Sequence, residues 1–545
     1  MTETLRPVTR LPTAPPRALV AARGFWLGVS MVVAAAAGFL AHQLMAWPPH
    51  EDETLALFVG RDTLPGLIDH VTRDRGGAPL HFLLAWAVAH AGFGLGALRT
   101  LSAVFAVASL PLIALLGRRL AGPLVGVTAT ALAACSWGFL FHGVYGRMYS
   151  LFLLVSTASF LVLLRALDHG GRRLWAAWVG IGLLAVAAHP YGALVLAAQG
   201  AYVLAERRDR IRQAAWAGVA VLVLGTPFWI TDLVLAGRFD VGVGPGGARL
   251  GGPDSVVRFL WRSAGDFSTG WWWLLGPVLA LAAVGLVSVR REARLLALAT
   301  VGVPAAAFLT ARFGGSASPE PRHLIFALPF LAILVAAGLA RVGRRAPTLA
   351  AVAVAALLVA EVGWAWQRTA PLFEWEPDQR QLARSSAEAF LASTSRPDDV
   401  LLGYDPLFLG AWERDARFSR IVLPRADSVL ALRTLLEQPL PLGRGVWAFD
   451  ASRRNNVRRR LEIEERSPTP AAAFEARAFG PFLVLRTREP VRSAERYLFY
   501  AARAMLVGRS LGIGDAAVNM ATVEHASRAL RGYGPSLWLR STDSR

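Results

Sequence analysis

Residues Phe25–Glu53 read FWLGVSMVVAAAAGFLAHQLMAWPPHEDE: an apolar run, then Pro48-Pro49, then three consecutive acids. The run from Phe25 to Trp47 is about as long as the hydrocarbon core of a bilayer is thick, which takes ~20 helical residues to cross. It has no small-residue cleavage site ahead of the acids, so it is expected to stay as a first membrane span. The acids of Glu51-Asp52-Glu53 then fall at a membrane surface, where low dielectric sharpens electrostatic interactions.

The pattern repeats along the chain. Apolar runs occur near 25–46, 99–116, 123–141, 147–165, 174–189, 190–205, 213–229, 271–288, 295–310, 323–340 and 347–366, and several fall short of a full span. The expected fold is mainly α: a polytopic bundle of about 11 transmembrane helices over residues 25–366. Residues 1–24 form an N-terminal tail, and a soluble α/β domain covers 367–545. Composition agrees, since 54% of 545 residues are hydrophobic and only 17% are charged, too apolar for an ordinary soluble domain. Mean hydropathy is +0.43. A net charge of +19 would suggest nucleic acid in a soluble protein, but here the arginines gather in short loops between the apolar runs, so nucleic acid is excluded as a partner. Every basic residue is Arg, and Cys135 is the single cysteine, which removes a disulfide framework and a cysteine metal site.

Arginine clusters at 17/23, 118/119, 165/172/173, 207–212, 290–294 and 341–345 mark every second span end, and by the positive-inside rule these ends and the N-terminus are cytoplasmic. The opposite ends carry the acid triplet, Arg147-Met148-Tyr149, His189-Pro190-Tyr191, Trp271–Trp273 and Pro321-Arg322-His323. Almost every chemically versatile cluster is therefore expected on one outer face. With an odd number of spans the C-terminal domain emerges there as well. Two outer loops are expected. The first, 47–98, holds short helices at Thr54–Gly60, Leu64–Arg73 and Pro79–His90. The second, 230–270, has a glycine-rich flexible section at 242–247. In the C-terminal domain, strands are expected at Val400–Tyr404, Gly445–Phe449 and Phe482–Leu485, with helices at 378–393 and 493–506.

Read alone, the acid triplet is more simply a helix N-terminal cap than a catalytic group. Arg147 can snorkel to the interface, His189 can be a histidine hydrogen-bonded across helices, and His81 on an apolar helix is more often structural. Pro319-Glu320-Pro321 directs Arg322 and the start of its span toward the same outer site. Trp271–Trp273 are interfacial anchors before they are a sugar platform. Gly508–Gly514 lacks the context of a nucleotide-binding loop.

The order of motifs adds a further reading. Asp52-Glu53, Ala78-Pro79-Leu80-His81, Ala97-Leu98-Arg99, Gly146-Arg147-Met148-Tyr149, His189-Pro190-Tyr191 and Pro321-Arg322-His323 resemble, in sequence order over about residues 25–366, the GT-C superfamily, specifically the protein mannosyltransferases and lipid A aminoarabinose transferases. The resemblance implies an inverting glycosyltransferase. It would move a sugar, a hexose and in particular mannose, from a polyprenyl-phosphate donor to a glycan, lipid or protein acceptor of the cell envelope, outside the cytoplasm. Asp52 matches the family's catalytic carboxylate. Arg147, Arg322 and His323 are candidates for the donor phosphate, and His81, Tyr149, His189 and Tyr191 for substrate contact. Glu53 would hold a divalent cation, Mg or Mn, or orient Arg147. Tyr145 stands where many relatives carry an acid, so that acid's task would pass to Glu53, Asp266, Glu320 or no residue. Competing classes are an oligosaccharide ligase or polymerase using diphosphate-linked donors, a transporter, whose midplane charges are not evident, and a noncatalytic envelope scaffold.

Overall fold

The computed structural model describes residues 16–238, 253–311, 320–415, 421–423, 428–451, 474–511, 513 and 523–524. The glycine-rich section 242–247, the first 15 residues of the tail, and Pro319, Gly512 and Gly514 lie outside the described residues.

Among the described residues, six helices are long and apolar enough to cross a membrane: α1 (Pro16–Gln43, from Arg23 onward), α5 (Leu95–Ala121), α8 (Tyr149–His169), α15 (Arg291–Ala311), the 3₁₀ segment Pro321–Ala327 with α16 (Leu328–Gly343), and α17 (Pro347–Arg368). Two bent pairs of helices are also long and apolar enough when each pair is taken together. One is α6 (Pro123–Cys135) with α7 (Trp137–Val144), at 59°; the other is α11 (Ile211–Leu224) with α12 (Thr226–Arg238), at 64°. Three apolar helices, α9 (Arg172–Ala188), α10 (Gly192–Glu206) and α14 (Trp272–Ser288), run 17, 15 and 17 residues. These eleven segments correspond to the eleven apolar runs of the sequence, and the chain is a multi-pass membrane protein.

Lipid explains their surfaces. Leu222, Val223 and Leu224 are exposed on α11, and Leu349, Val352 and Val359 on α17, where a soluble bundle would carry charge. Between helices the bundle relies on close backbone approach. A Cβ on Gly285 of α14 would strike the Leu334 carbonyl of α16, and one on Gly338 of α16 would strike the Leu281 carbonyl of α14. At the arginine-rich end, charges are neutralised internally. Arg119 pairs with Asp168 and Glu292, Arg207 with Asp168, and the Tyr202 hydroxyl donates to Glu292 at 3.1 Å.

The first outer loop folds as α2 (Glu51–Gly60), α3 (Leu64–Asp69) and α4 (Pro79–His90). The expected helix 64–73 keeps α geometry only to Asp69 and continues as a π-helical turn, His70–Arg75, ending at Gly76 with φ +66°. Helix α2 begins at Glu51, ahead of the expected Thr54, because His50 caps it: His50 Nδ1 accepts the Asp52 amide at 3.2 Å and the Glu53 carboxylate accepts the His50 amide at 3.0 Å. Helix α13 (Pro253–Asp266) lies within the segment expected as the second loop, and α12 runs into that segment as far as Arg238.

The C-terminal region carries a five-stranded sheet, order β2-β1-β3-β5-β4, built from β1 (Val400–Gly403), β2 (Ile421–Leu423), β3 (Gly445–Asp450), β4 (Phe474–Phe479) and β5 (Phe482–Thr487). β1 runs parallel to β2 and β3, and β5 pairs antiparallel with β3 and β4. Helices α18 (Asp378–Thr394), α19 (Asp405–Arg414) and Ala494–Ser510 pack against it. Strands β2 and β4 and helix α19 are additions to the sequence reading. This domain grips the first outer loop. Trp412 stacks on Phe58 and lies 3.6 Å from the Arg61 guanidinium, Arg433 pairs with Asp69, and the Tyr404 hydroxyl donates to the Pro49 carbonyl at 3.2 Å.

Candidate active site

Helix α2 carries Asp52 and Glu53 just beyond the C-terminal end of α1, where the two acids have opposite environments. Glu53 is fully buried. Both its oxygens take N–H bonds from Arg99 of α5, at 2.9 and 2.7 Å, and one also accepts the Gly146 amide at 2.7 Å. Arg99, itself 0% exposed, donates onward to the carbonyls of Leu44, Trp47 and Pro48. Buried charge is tolerated in this form because every lone pair and N–H is matched. To the expectations for Glu53 the geometry adds one that was not stated: its oxygens accept from Arg99 and from the Gly146 and His50 amides. Arg99 is the positioning residue that sequence reasoning left out of the site. The signal was present as an arginine near the start of an apolar span, which needs a partner.

Asp52 is not enclosed in the same way, its side chain being 22% exposed. The Tyr145 hydroxyl donates to its Oδ2 at 3.1 Å, and Arg322 Nη2 stands 4.0 Å from the same oxygen. Buried Arg147 donates from Nη1 to the Asp52 carbonyl at 3.0 Å, while the Ser102 hydroxyl holds the Arg147 carbonyl. Arg322 also pairs with Glu320 at 2.7 Å and lies over the Tyr149 ring. Burial holds the His50 imidazole below its ordinary pKa against the pull of Asp52 and Glu53, and Arg322 and Arg147 push the same way. His50 is thus neutral, as its Nδ1 acceptor role at the cap requires.

Behind the two arginines lies a stack of rings. His189 and His323 are 5.2 Å apart, Tyr149 packs on both, and Tyr191 contacts both histidines at 5.3 and 5.1 Å. His189 Nδ1 accepts the Tyr191 amide and His323 Nδ1 accepts the Glu320 amide. His81 is buried on α4 with its ring against Phe82, outside this stack.

Two cavities meet at Trp47. One, of about 310 Å³, is lined by His50, Tyr145 and Arg322 beside Asp52, and by Trp137, Asp266 and Arg368 opposite. The other, about 1300 Å³, is a groove between the first outer loop and helices α18 and α19 of the C-terminal domain. Among the described residues no group of three or more His, Cys, Asp or Glu side chains gathers around one point. With Glu53 saturated and two guanidiniums flanking Asp52, the residues present do not fit a cage for Mg or Mn.

The fold of the chain, a membrane bundle with an appended α/β domain, is shared by solved structures. The crystal structure of ArnT from Cupriavidus metallidurans in the apo state matches with a TM-score of 0.55 and 14% identity, over 86% of this chain and 98% of that one. ArnT from the same organism bound to undecaprenyl phosphate matches at 0.55 and 15%, over 84% and 97%. A crystal structure of the Archaeoglobus fulgidus oligosaccharyltransferase in complex with Zn and sulfate matches at 0.46 and 12%, over 76% and 67%, too low to bear on the argument. No family model and no curated protein matches the sequence.

Proposed function

We propose that this chain is an inverting glycosyltransferase that moves a sugar from a polyprenyl-phosphate donor to a hydroxyl of a cell-envelope glycan, lipid or protein. The sugar is a hexose, with mannose the leading candidate. Transfer takes place on the outer face, with the N-terminus and arginine-rich ends cytoplasmic. The observation that carries the reading is the grouping of one partly exposed carboxylate, Asp52, with two buried or half-buried guanidiniums, Arg147 and Arg322. That ArnT of the same fold is described bound to undecaprenyl phosphate supports a polyprenyl-phosphate donor.

In this reading Asp52 is the base. The acceptor oxygen attacks the anomeric carbon as its proton passes to Asp52, and the carbon–oxygen bond to phosphate breaks with its electron pair staying on the phosphate. Arg147 and Arg322 meet the charge that develops there, in a site poor in water. Tyr145 holds Asp52 through its hydroxyl in place of a second acid. Arg99 and Glu53 fix the helix end that carries the base. The groove toward the C-terminal domain is the approach for the acceptor.

The test is release or transfer of radiolabelled sugar by purified protein from a panel of polyprenyl-phosphate sugars, in parallel with Asp52→Asn. The variant is expected to fold and to lose at least ~100-fold in rate. Full activity in Asp52→Asn removes the proposed base. Turnover only of diphosphate-linked donors favours a ligase or polymerase, and no turnover of either donor type favours a scaffold.

A further inference from the structure

The cavity beside Asp52 has a far wall that the transfer chemistry does not use. Arg368, the last residue of α17, pairs with Asp266 at the end of α13, Nε to Oδ1 3.3 Å, and the Asp266 side chain is only 6% exposed. The guanidinium also lies over the Trp137 ring at 4.9 Å. Trp137 is itself fixed, stacked on Phe141 at 4.9 Å and donating from Nε1 to the Thr369 hydroxyl at 3.0 Å. Arg368, 46% exposed, and buried Asp266 therefore form a donor–acceptor pair against an aromatic wall, lining a space of about 310 Å³. That is at the small end of ligand sites, ~300–1,000 Å³, and suits one sugar ring.

The charges lining this cavity cancel. The acids are Asp266 and Glu320 and the cations Arg368 and Arg322, and each acid already holds one guanidinium. A cationic sugar entering would have to compete with an arginine for either carboxylate, and an anionic sugar would have to draw an arginine from its acid. In both cases a charge leaves water without a matched partner. A neutral polyhydroxylated ring brings donors to the carboxylates and acceptors to the guanidiniums without disturbing either pair.

We infer that Asp266 and Arg368 are specificity-determining residues that read the hydroxyls of the sugar being transferred, and that this cavity selects a neutral hexose over a cationic aminosugar or an anionic uronic acid. The inference rests on the transfer reading above, and its test separates the two.

Purified protein is given three polyprenyl-phosphate donors, hexosyl, aminopentosyl and hexuronosyl, with water as the only acceptor. In that reaction the anomeric carbon gains a bond to the water oxygen, its bond to phosphate breaks, the water proton passes to Asp52, and polyprenyl phosphate leaves. The expected kcat/KM for the hexosyl donor exceeds each charged donor by roughly tenfold or more. Arg368→Gln leaves the two acids opposed by one cation and is expected to shift the aminopentosyl-to-hexosyl ratio by about tenfold toward the cation. Arg368→Lys, which keeps the charge but loses the fork, is expected to slow hexosyl release while leaving that ratio in place. Asp266→Asn shifts preference toward the hexuronosyl donor, so a misfolded Arg368→Gln does not end the test.

Wild-type preference for either charged donor, or an unchanged ratio in a folded Arg368→Gln protein, overturns the proposal. It is equally overturned if the variants alter KM only for an added acceptor and leave donor hydrolysis untouched, since the cavity would then hold the acceptor. Asp52-dependent release of the wrong sugar leaves the transfer reading standing. Absence of Asp52-dependent release from all three donors removes both.

Discussion

Replacing Arg99 with methionine removes the guanidinium that ties α2 to the bundle, and the structure sets the size of the effect. Arg99 makes two bonds to Glu53 and three to the carbonyls of Leu44, Trp47 and Pro48, with both charged side chains fully buried. Breaking such a pair by removing one partner typically costs ~3–5 kcal/mol. The orphaned Glu53 still accepts the amides of Gly146 and His50, so the lower end, about 3 kcal/mol, is expected. Glu53→Gln alone is expected to cost a similar amount. The double variant should cost less than the two singles together, by about 2 kcal/mol of coupling. Denaturant titration of the four proteins in one detergent measures these terms, and amide exchange over Glu51–Gly60 locates the loosening. Sugar transfer should fall in step, because Asp52 is carried on the released helix end. An Arg99→Met protein within ~0.5 kcal/mol of wild type, or strict additivity in the cycle, would refute the claim that this pair fastens the site.

Three other outcomes follow from the same geometry. Tyr145→Phe removes the hydrogen bond to Asp52 Oδ2 and should lower kcat about tenfold with donor KM little changed, a split read directly from steady-state kinetics. Arg322→Ala should raise the KM for the lipid-phosphate donor by roughly tenfold or more, with Arg322→Lys recovering part of it, and unaltered donor saturation would show that the phosphate lies elsewhere. Burial pushes the Asp266 carboxyl up to about 6 against the opposing effect of Arg368. The folded-state value therefore lies above the ordinary one, the neutral acid persists below about 6, and the cavity lining gains one net positive charge as pH falls through that value. The ratio of hexuronosyl to hexosyl release should then rise between pH 7.5 and 5, and because Asp52 acts on both donors its own titration cancels in the ratio.

The spans were legible because lipid leaves a chain few choices: only helices satisfy their own backbone there, so apolar runs bounded by arginines read almost directly as elements. Pro79–His90 was legible for a local reason, proline at the first helical position. Strands β2 and β4 were not. β2 has only three residues, and the alternating Glu475, Arg477 of β4 resembles a charged loop until its pairing with β5 is known. In the site, Asp52, Arg147 and Arg322 could be nominated because each lies in a short motif at a span end, and the order of those motifs along the chain resembles a known family. Their mutual distances could not be read, since Arg322 lies 270 positions from Asp52 and the packing of the Pro321–Ala327 segment against α8 and α13 brings it there. The Glu53–Arg99 pair shows the same limit: a capping signal at α2 and an arginine near the start of α5 each had an explanation, and nothing local joined them.

Tyr145 is where the sequence and the structure together say most. An acid expected at that position would place a second negative charge near Asp52, and a cation would be needed to hold the two together. A tyrosine hydroxyl needs no such ion. It donates to Asp52 Oδ2 at 3.1 Å, and Arg322 and Arg147 already supply positive charge on either side. Asp52, Glu320 and Asp266 each have a guanidinium close by, from Arg322, Arg322 and Arg368 in turn. A divalent cation placed beside Asp52 would face two guanidiniums across a few ångströms, which opposes its binding. The same pairing that makes a metal cage unsuitable is what favours a neutral sugar in the cavity, so tyrosine at 145 and the Asp266–Arg368 wall belong to one electrostatic design.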